Sequence, residues 1–320
     1  MKKFPKIVFI GSSFFSFFSL KELFDQEYNI IGIVTSPDNI KIKGKKKNLS
    51  PIKKYAIKNR IPILQPKNLI DSSFFQEIKK WNADIQIVVS FKILPKKIWS
   101  YPKMGTFNLH ASLLPQYKGA APINWAIMNG ENKTGLTTFF ISNQIDSGNI
   151  LLQKEIQIKK EDTAGDLEKR LKKISGPMII KTLEGIIQKK IKSIPQNKTK
   201  FSLLKNAPKI STKDCKIFWK ESSIDDIYNK IRGLSPSPTA WTYLSYNNNK
   251  FVRLKIFFVK KLREKHNHPI GLVFLSSQEM KVSVTNGFIF IMEAQIEGRK
   301  KMNIKNLING IKIKENLFVL

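Results

Sequence analysis

The sequence predicts a doubly wound α/β domain with a mostly parallel sheet, followed by a smaller OB-like β-barrel. Three observations carry that expectation. Short runs of Ile, Val and Phe alternate with helix-like segments as far as about Lys189. A lysine-rich stretch with Pro195 and Pro208 and little periodicity then breaks the pattern. Beyond it, short strands recur at roughly ten-residue spacing, the rhythm of a small barrel. The boundaries read as a first domain at residues 1–189, a linker at 190–207 and a second domain at 208–320.

The first strand is expected at residues 6–10, with a tight turn at Gly11 and a helix to about Phe24. Met1-Lys2-Lys3 and the apolar run behind them superficially resemble a secretory signal. Pro5 and Gly11 interrupt that run, no small-residue cleavage site follows, and Lys21-Glu22 continue in helical register. The segment therefore reads as a strand–turn–helix unit. A lone glycine turn is a weak phosphate-loop signal, so Gly11 reads as scaffold. A second strand at 29–34 runs into Ser36-Pro37-Asp38 and then a lysine-rich loop at 40–47. Helix resumes at Ser50-Pro51, residues 61–66 read as a short edge strand, and 83–91 as a central strand.

The stretch from Gly105 to Gly148 holds the candidate chemistry. An apolar run ending near His110 reads as a short buried strand, and Asn108 and His110, two residues apart, project from one face of it. Ser112-Leu113-Leu114-Pro115 leaves the strand, Lys118-Gly119 is a turn signal, and a helix is expected from about Pro122. A further β-branched and aromatic run at 136–141 delivers Asp146 into a turn closed by Gly148. Both strands are expected to place Asn108, His110 and Asp146 beyond the carboxyl ends of the sheet, where doubly wound folds bind ligands. Each residue also has a plainer reading. Asn108 suits a strand end, His110 a hydrogen-bonded core position, and Asp146 a turn.

Residues 161–189 read as a helix capped by Asp162-Thr163, with Leu167, Leu171, Ile174, Met178, Ile179 and Leu183 as a core-facing stripe. In the second half a helix is expected at 224–232, then strands at 252–259, 271–274, 282–284 and 287–294. His266 and His268 form an H-x-H pair in a polar loop, and with no third ligand nearby no metal site is expected.

Composition bounds the rest. A 42% hydrophobic and 25% charged chain of 320 residues suits a folded protein with two cores, and no stretch is long enough to span a membrane. Net charge is +32, which points to a polyanionic partner. Only six of the 56 basic residues are Arg, so part of that charge reads as compositional bias. A single cysteine, Cys215, excludes an internal disulfide framework and a multi-cysteine zinc site.

The string from Asn108 to Gly148 matches N-x-H-x-S-L-L-P-x-x-[RK]-G-x-A-P-I, then T-G-x-T and D-S-G. It resembles the core of the 10-formyltetrahydrofolate-dependent formyltransferases, a Rossmann-like fold. N-K-I-R-G-L-x-P-x-P-x-A-W and E-G-R-K-K-M in the second half resemble the C-terminal domain of those members that act on methionyl-tRNA. The resemblance implies formyl transfer from 10-formyltetrahydrofolate, without a metal, to the amino group of initiator methionyl-tRNA in the cytoplasm, by a monomer. It implies catalytic roles for Asn108, His110 and Asp146. It places the folate against Phe91, Ile93, Leu94, Ser112, Leu113, Leu114 and Pro115. It also implies transfer-RNA contacts from Lys41, Lys43, Lys45, Lys46 and Lys47 in the loop, and from Arg232, Lys300 and Lys301.

Two departures stand out. Gly11–Ser16 lacks the proline of the family's G-T-P-x-F-A, and Phe91-Lys92 replaces an aromatic-glycine pair that helps shape the pteridine pocket. An aminoacyl amine behaving like an α-amino group of pKa about 7.7–8.0 is largely protonated near neutral pH. Transfer therefore needs a proton acceptor, from His110 and Asp146, and a donor to the developing oxyanion, from Asn108 or protonated His110. Two rivals remain at this level. One is a formyltransferase acting on a small amine such as an amino sugar nucleotide; the other is a noncatalytic RNA-binding protein.

Overall fold

The computed structural model describes residues 5–38, 49–196, 204–246, 250–309 and 317–320. In chain order the first elements are β1 (Ile7–Gly11), α1 (Phe14–Asp25), β2 (Ile30–Val34), α2 (Pro51–Lys58), β3 (Ile63–Leu64) and α3 (Ser72–Lys80). Then come β4 (Ile85–Val89), α4 (Lys96–Trp99), β5 (Thr106–His110), β6 (Lys118–Gly119), α5 (Pro122–Met128), β7 (Lys133–Phe140), β8 (Ile150–Gln157) and α6 (Ala164–Ile187). After β9 (Asn206–Ala207) and α7 (Ile224–Leu234) follow the long strands β10 (Ala240–Tyr246) and β11 (Lys250–Arg263). The chain ends with β12 (Val273–Leu275), β13 (Met280–Val284), β14 (Gly287–Ile296), β15 (Met302–Asn303), α8 (Ile304–Ile308) and β16 (Phe318–Val319).

Two units emerge. One comprises Met1–Lys118, Gly135–Ile156 and Glu168–Lys205; the other comprises Gly119–Thr134, Gln157–Leu167 and Asn206–Leu320. The first is built on a seven-stranded sheet in the order β3-β2-β1-β4-β5-β7-β8. Every residue of β1 and of β4 is buried, so these strands need no apolar/polar alternation, and Gln86 is the one polar side chain among their ten residues. Pairing is parallel from β3 through β5. Strand β4 is central and β3 lies at the edge, as expected from their lengths. Ser13 caps α1 by accepting a 3.1 Å hydrogen bond from Ser16 N.

One expectation fails here. Strand β7 runs antiparallel to β5, with Phe107 opposite Phe140 and His110 opposite Thr137. The end of β7 therefore lies beside the start of β5, and Asp146 does not leave a carboxyl strand end shared with His110. It comes back to His110 through the connection between β7 and β8. Nothing in the run at 136–141 encodes strand direction, because buried parallel and antiparallel strands share one composition.

The second unit carries a sheet in the order β12-β13-β14-β11-β10-β16, with β15 beside β14. Val273 N bonds to Leu317 O and Val319 N to Gly271 O, both at 2.9 Å, so the last strand returns to the first through an isolated bridge at Leu272 and Phe318 and the barrel is nearly closed. Near-closure leaves little open strand edge. Irregular register at Ile256 to Val259 bends β11, letting one strand of fourteen residues serve the barrel from end to end. Inward residues such as Leu254, Ile256, Val282, Ile289 and Ile291 form the core with Trp219, Ile227 and Ile231. Strand β10 was not foreseen, although Ala240, Thr242 and Leu244 are buried and alternate with Trp241, Tyr243 and Ser245. In this unit α5 packs on α7: Asn124 Nδ2 donates to Gly233 O at 2.8 Å, and a Cβ on Gly233 would lie 2.6 Å from Met128.

Candidate active site

Strand β5 presents Asn108 and His110 on one face, as their spacing requires. His110 is buried, and its Nε2 lies 2.8 Å from the carbonyl oxygen of Tyr117. A carbonyl only accepts, so Nε2 carries the hydrogen and Nδ1 of the neutral ring keeps its lone pair. That Nδ1 faces Asp146 Oδ2 at 3.7 Å, with both side chains largely buried. Asn108 Oδ1 is buried with no hydrogen-bond partner among the described residues. An amide with an uncommitted end, an imidazole with one fixed tautomer and a carboxylate thus come from one strand and one connection.

The backbone around these groups is unusual. Ser90, Tyr117 and Asp146 all adopt positive φ, at 51°, 58° and 47°. Non-glycine residues in this region cost of order 1–3 kcal/mol each and tend to mark functional sites. Gln196 holds the Asp146 turn, donating from Nε2 to Asp146 O at 2.8 Å and to Gly148 O at 2.9 Å. Gly148 is needed because a Cβ there would meet Phe140 O at 1.6 Å. Lys118 donates to Ser147 Oγ at 2.7 Å on the same turn. Burial pushes the Lys118 ammonium below its ordinary pKa, against the opposing pull of Asp146.

The S-L-L-P segment is a hydrogen-bonded shelf beside this group. Ser112 Oγ donates to Gln116 O at 2.6 Å, and Thr137 Oγ1 donates to Ser112 O at 2.6 Å. Leu114 N donates to Thr137 Oγ1, while Gln153 Nε2 donates to Leu114 O at 2.8 Å. Leu114 is buried, whereas Leu113 and Pro115 are half-buried. Leu94 belongs to an apolar cluster with Val8, Val34 and Val88, against which half-buried Phe91 packs. Ile93 is exposed.

The expected transfer-RNA residues fare unevenly. Lys41, Lys43, Lys45, Lys46 and Lys47 lie outside the described residues. Arg232 requires a correction. It is buried, its Nε donates to Asn229 Oδ1 at 2.9 Å and its Nη1 to Asp162 O at 3.1 Å. Its guanidinium also lies 5.6 Å from the Tyr228 ring centroid. Those contacts make it an internal clamp, inaccessible to a phosphate. Lys300 is exposed, and Lys301 pairs with Glu293 at 2.6 Å.

Tyr117, Lys118, Thr137, Gln153 and Gln196 were not singled out from the sequence. Lys118 was visible as the basic position before Gly119. Tyr117 acts through its backbone, which leaves no mark on side-chain choice. Gln196 sits in the stretch read as linker, yet Ile194 there exchanges backbone hydrogen bonds with Ile150 at 2.7 and 2.8 Å.

Comparison with known proteins bears on this arrangement. A family model described as formyl transferase matches residues 5–183, and one described as formyl transferase, C-terminal domain, matches residues 209–312. The methionyl-tRNA formyltransferase of Flavobacterium johnsoniae is 42% identical over 306 residues, covering 96% of each chain. That of Azobacteroides pseudotrichonymphae is 43% identical over 314 residues, covering 95% of each. Among solved structures, an N-formyltransferase from Helicobacter canadensis with folinic acid and dTDP-3-aminofucose aligns with TM-score 0.63 at 20% identity, over 93% of this chain and 100% of that one. HypX from Aquifex aeolicus with tetrahydrofolic acid aligns with TM-score 0.64 at 16% identity; 96% of this chain spans 47% of that one. At such identities the two structures bear on the fold alone. Among the described residues, no helix is long and apolar enough to cross a membrane.

Proposed function

Because the chain belongs to the formyl transferase family, we propose that it transfers the formyl group of 10-formyltetrahydrofolate to the amino group of initiator methionyl-tRNA. Identity near 40% to methionyl-tRNA formyltransferases runs through both halves of the chain, including the barrel. The observation that carries the chemistry is His110, with Nε2 committed to Tyr117 O and Nδ1 turned to Asp146.

The incoming amine must lose a proton to attack the formyl carbon. Nδ1 of neutral His110 accepts that proton, and the Asp146 carboxylate stabilises the imidazolium that results. Tyr117 holds the ring in place throughout, because Nε2–H is a donor in both protonation states. The amide of Asn108, on the same face of β5, donates to the oxygen on which negative charge develops. No covalent intermediate is needed, and Cys215 is buried with its thiol pushed upward in pKa by burial.

Phe91, Ile93, Leu94 and the 112–115 shelf line the folate side in this reading. Exposed Lys300 and Lys301 on the barrel, with Lys41, Lys43, Lys45, Lys46 and Lys47, engage the transfer RNA. In this reading the enzyme works in the cytoplasm as a monomer. The deciding experiment supplies 10-formyltetrahydrofolate with either methionyl-tRNA or a panel of amino sugar nucleotides. Formylation of methionyl-tRNA alone is expected; transfer only to the sugar amines would overturn the assignment.

A further inference from the structure

The outer face of the barrel carries a pattern that the formyl-transfer chemistry does not use. Strand registers place Phe274 opposite Lys281, Lys281 opposite Phe290, and Phe290 opposite Lys260. Residues directly opposite point to the same side of a sheet, so these four form one row across β12, β13, β14 and β11. The inward positions beside them, Met280, Val282, Ile289 and Ile291, already fill the core. Phe274, Lys281 and Phe290 are half-buried and Lys260 is exposed, so two aromatic rings alternate with two ammonium groups at the surface.

The lysine between the rings is tied to them. Lys281 Nζ lies 5.4 Å from the Phe274 centroid, 4.5 Å from Phe288 and 5.8 Å from Phe290. His268 extends the platform at one end, 4.8 Å from the Phe274 ring. At the other end the row opens into a groove of about 500 Å³ lined by Lys260, Phe290, Met292, Ile304 and Lys305. Glu279 also lines it and sets a negative charge against the lysines.

We propose that this row is a docking site for an unpaired nucleotide of the RNA substrate, with the base stacked on Phe290 or Phe274 and the flanking phosphates met by Lys281, Lys260 and Lys305. Every base has a π-face, and aromatic rings interleaved with cations are the usual device for holding single strands without reading sequence. Paired bases are stacked inside a helix and offer no such face, so the site selects single-stranded segments. The inference rests on the reading of methionyl-tRNA as substrate, which supplies the nucleic acid.

The test uses the full chain and fluorescence anisotropy with a labelled oligouridylate, against a blunt RNA duplex of equal length. Phe274→Ala and Phe290→Ala are each expected to weaken oligouridylate binding about 5- to 150-fold while duplex binding stays level. Phe290→Tyr keeps a ring and should keep the affinity. Lys260→Ala and Lys281→Ala should each make the log–log salt dependence shallower by about 0.7. Were the row only a cross-strand stabiliser, both alanine variants would lower the urea midpoint and bind oligouridylate as the unaltered chain does; that result overturns the proposal. For methionyl-tRNA formylation, Phe290→Ala should raise KM and leave kcat unchanged. Failure of the unaltered chain to formylate methionyl-tRNA would instead overturn the substrate assignment, and RNA binding independent of both rings would overturn the docking site alone.

Discussion

His110 can take up a proton at only one atom. With Nε2–H held by Tyr117 O, protonation falls on Nδ1, beside Asp146. In the proposed mechanism His110→Ala removes the proton acceptor and Asp146→Asn removes the charge that stabilises the imidazolium. Each is expected to lower kcat by roughly 10²–10⁴, the range for a general acid–base group, with transfer-RNA affinity by filter binding unchanged. Turnover near the unaltered value in both variants would remove the pair from the mechanism. A second single-residue test concerns acid stability. The hydrogen bond from Lys261, opposed by burial and assisted by the charges of Lys261 and Arg263, holds the Asp225 carboxyl below its ordinary pKa. A depressed folded-state value contributes stability above the unfolded value of about 3.9, and that contribution disappears as pH falls through the folded value. Asp225 is about 40% exposed, so solvent and salt reduce the effect. In urea titrations Asp225→Asn should have a lower midpoint than the unaltered chain at pH 7, and the gap should close on acidification below about 3.9.

The connection from β7 to β8 explains what could be read from the sequence and what could not. The spacing of Asn108 and His110 fixes a shared face in any strand, so that half of the site was legible from two positions. The D-S-G turn was legible as a turn, and Gly148 has the role a glycine signals, a close approach that excludes a Cβ. How Asp146 reaches His110 was not legible, because strand direction is decided by pairing between β5 and β7 over a long separation. Gln196 was hidden for a similar reason: a polar residue in a lysine-rich stretch gives no sign that it bridges two carbonyls fifty residues away. Arg232 shows the converse, since its charge suggested a phosphate contact while its place in α7 buries it. Gly148→Ala is expected to shift the connection by about an ångström and lower kcat on the order of 10²-fold, the loss that misplacement of a catalytic group brings. Gln196→Ala should give a smaller loss in the same direction. Steady-state kinetics on methionyl-tRNA check both, and a Gly148→Ala enzyme with normal kcat would show that the connection tolerates the added methyl.

The chain passes between its two units five times, at residues 118/119, 134/135, 156/157, 167/168 and 205/206. A single cut therefore does not separate them, although the change in composition near Lys190 suggests that one would. Residues 119–134 and 157–167 lie in the first 189 positions but complete the second unit. There Asn124 bonds to Gly233 O, Arg232 to Asp162 O and Tyr228 Oη to Lys160 O. A fragment of residues 1–189 keeps Asn108, His110 and Asp146 but loses these partners. It also loses Ile194 and Gln196, which secure Ile150 and the Asp146 turn. Freed of α7, the α5 helix of seven residues is too short to persist alone. The fragment is expected to show helical far-UV circular dichroism, a broadened urea transition with reduced slope, and increased dye binding to exposed apolar surface. Residues 208–320 alone should be impaired in the same way, because α5 is missing from them too. Mixing residues 1–207, which keep Ile194 and Gln196, with residues 208–320 should recover sharper unfolding and some formylation, since together they restore the partners of α5 and α7 and of the Asp146 turn. A 1–189 fragment that unfolds as cooperatively as the intact chain, without that dye signal, would mean the interleaved segments are not needed for its fold.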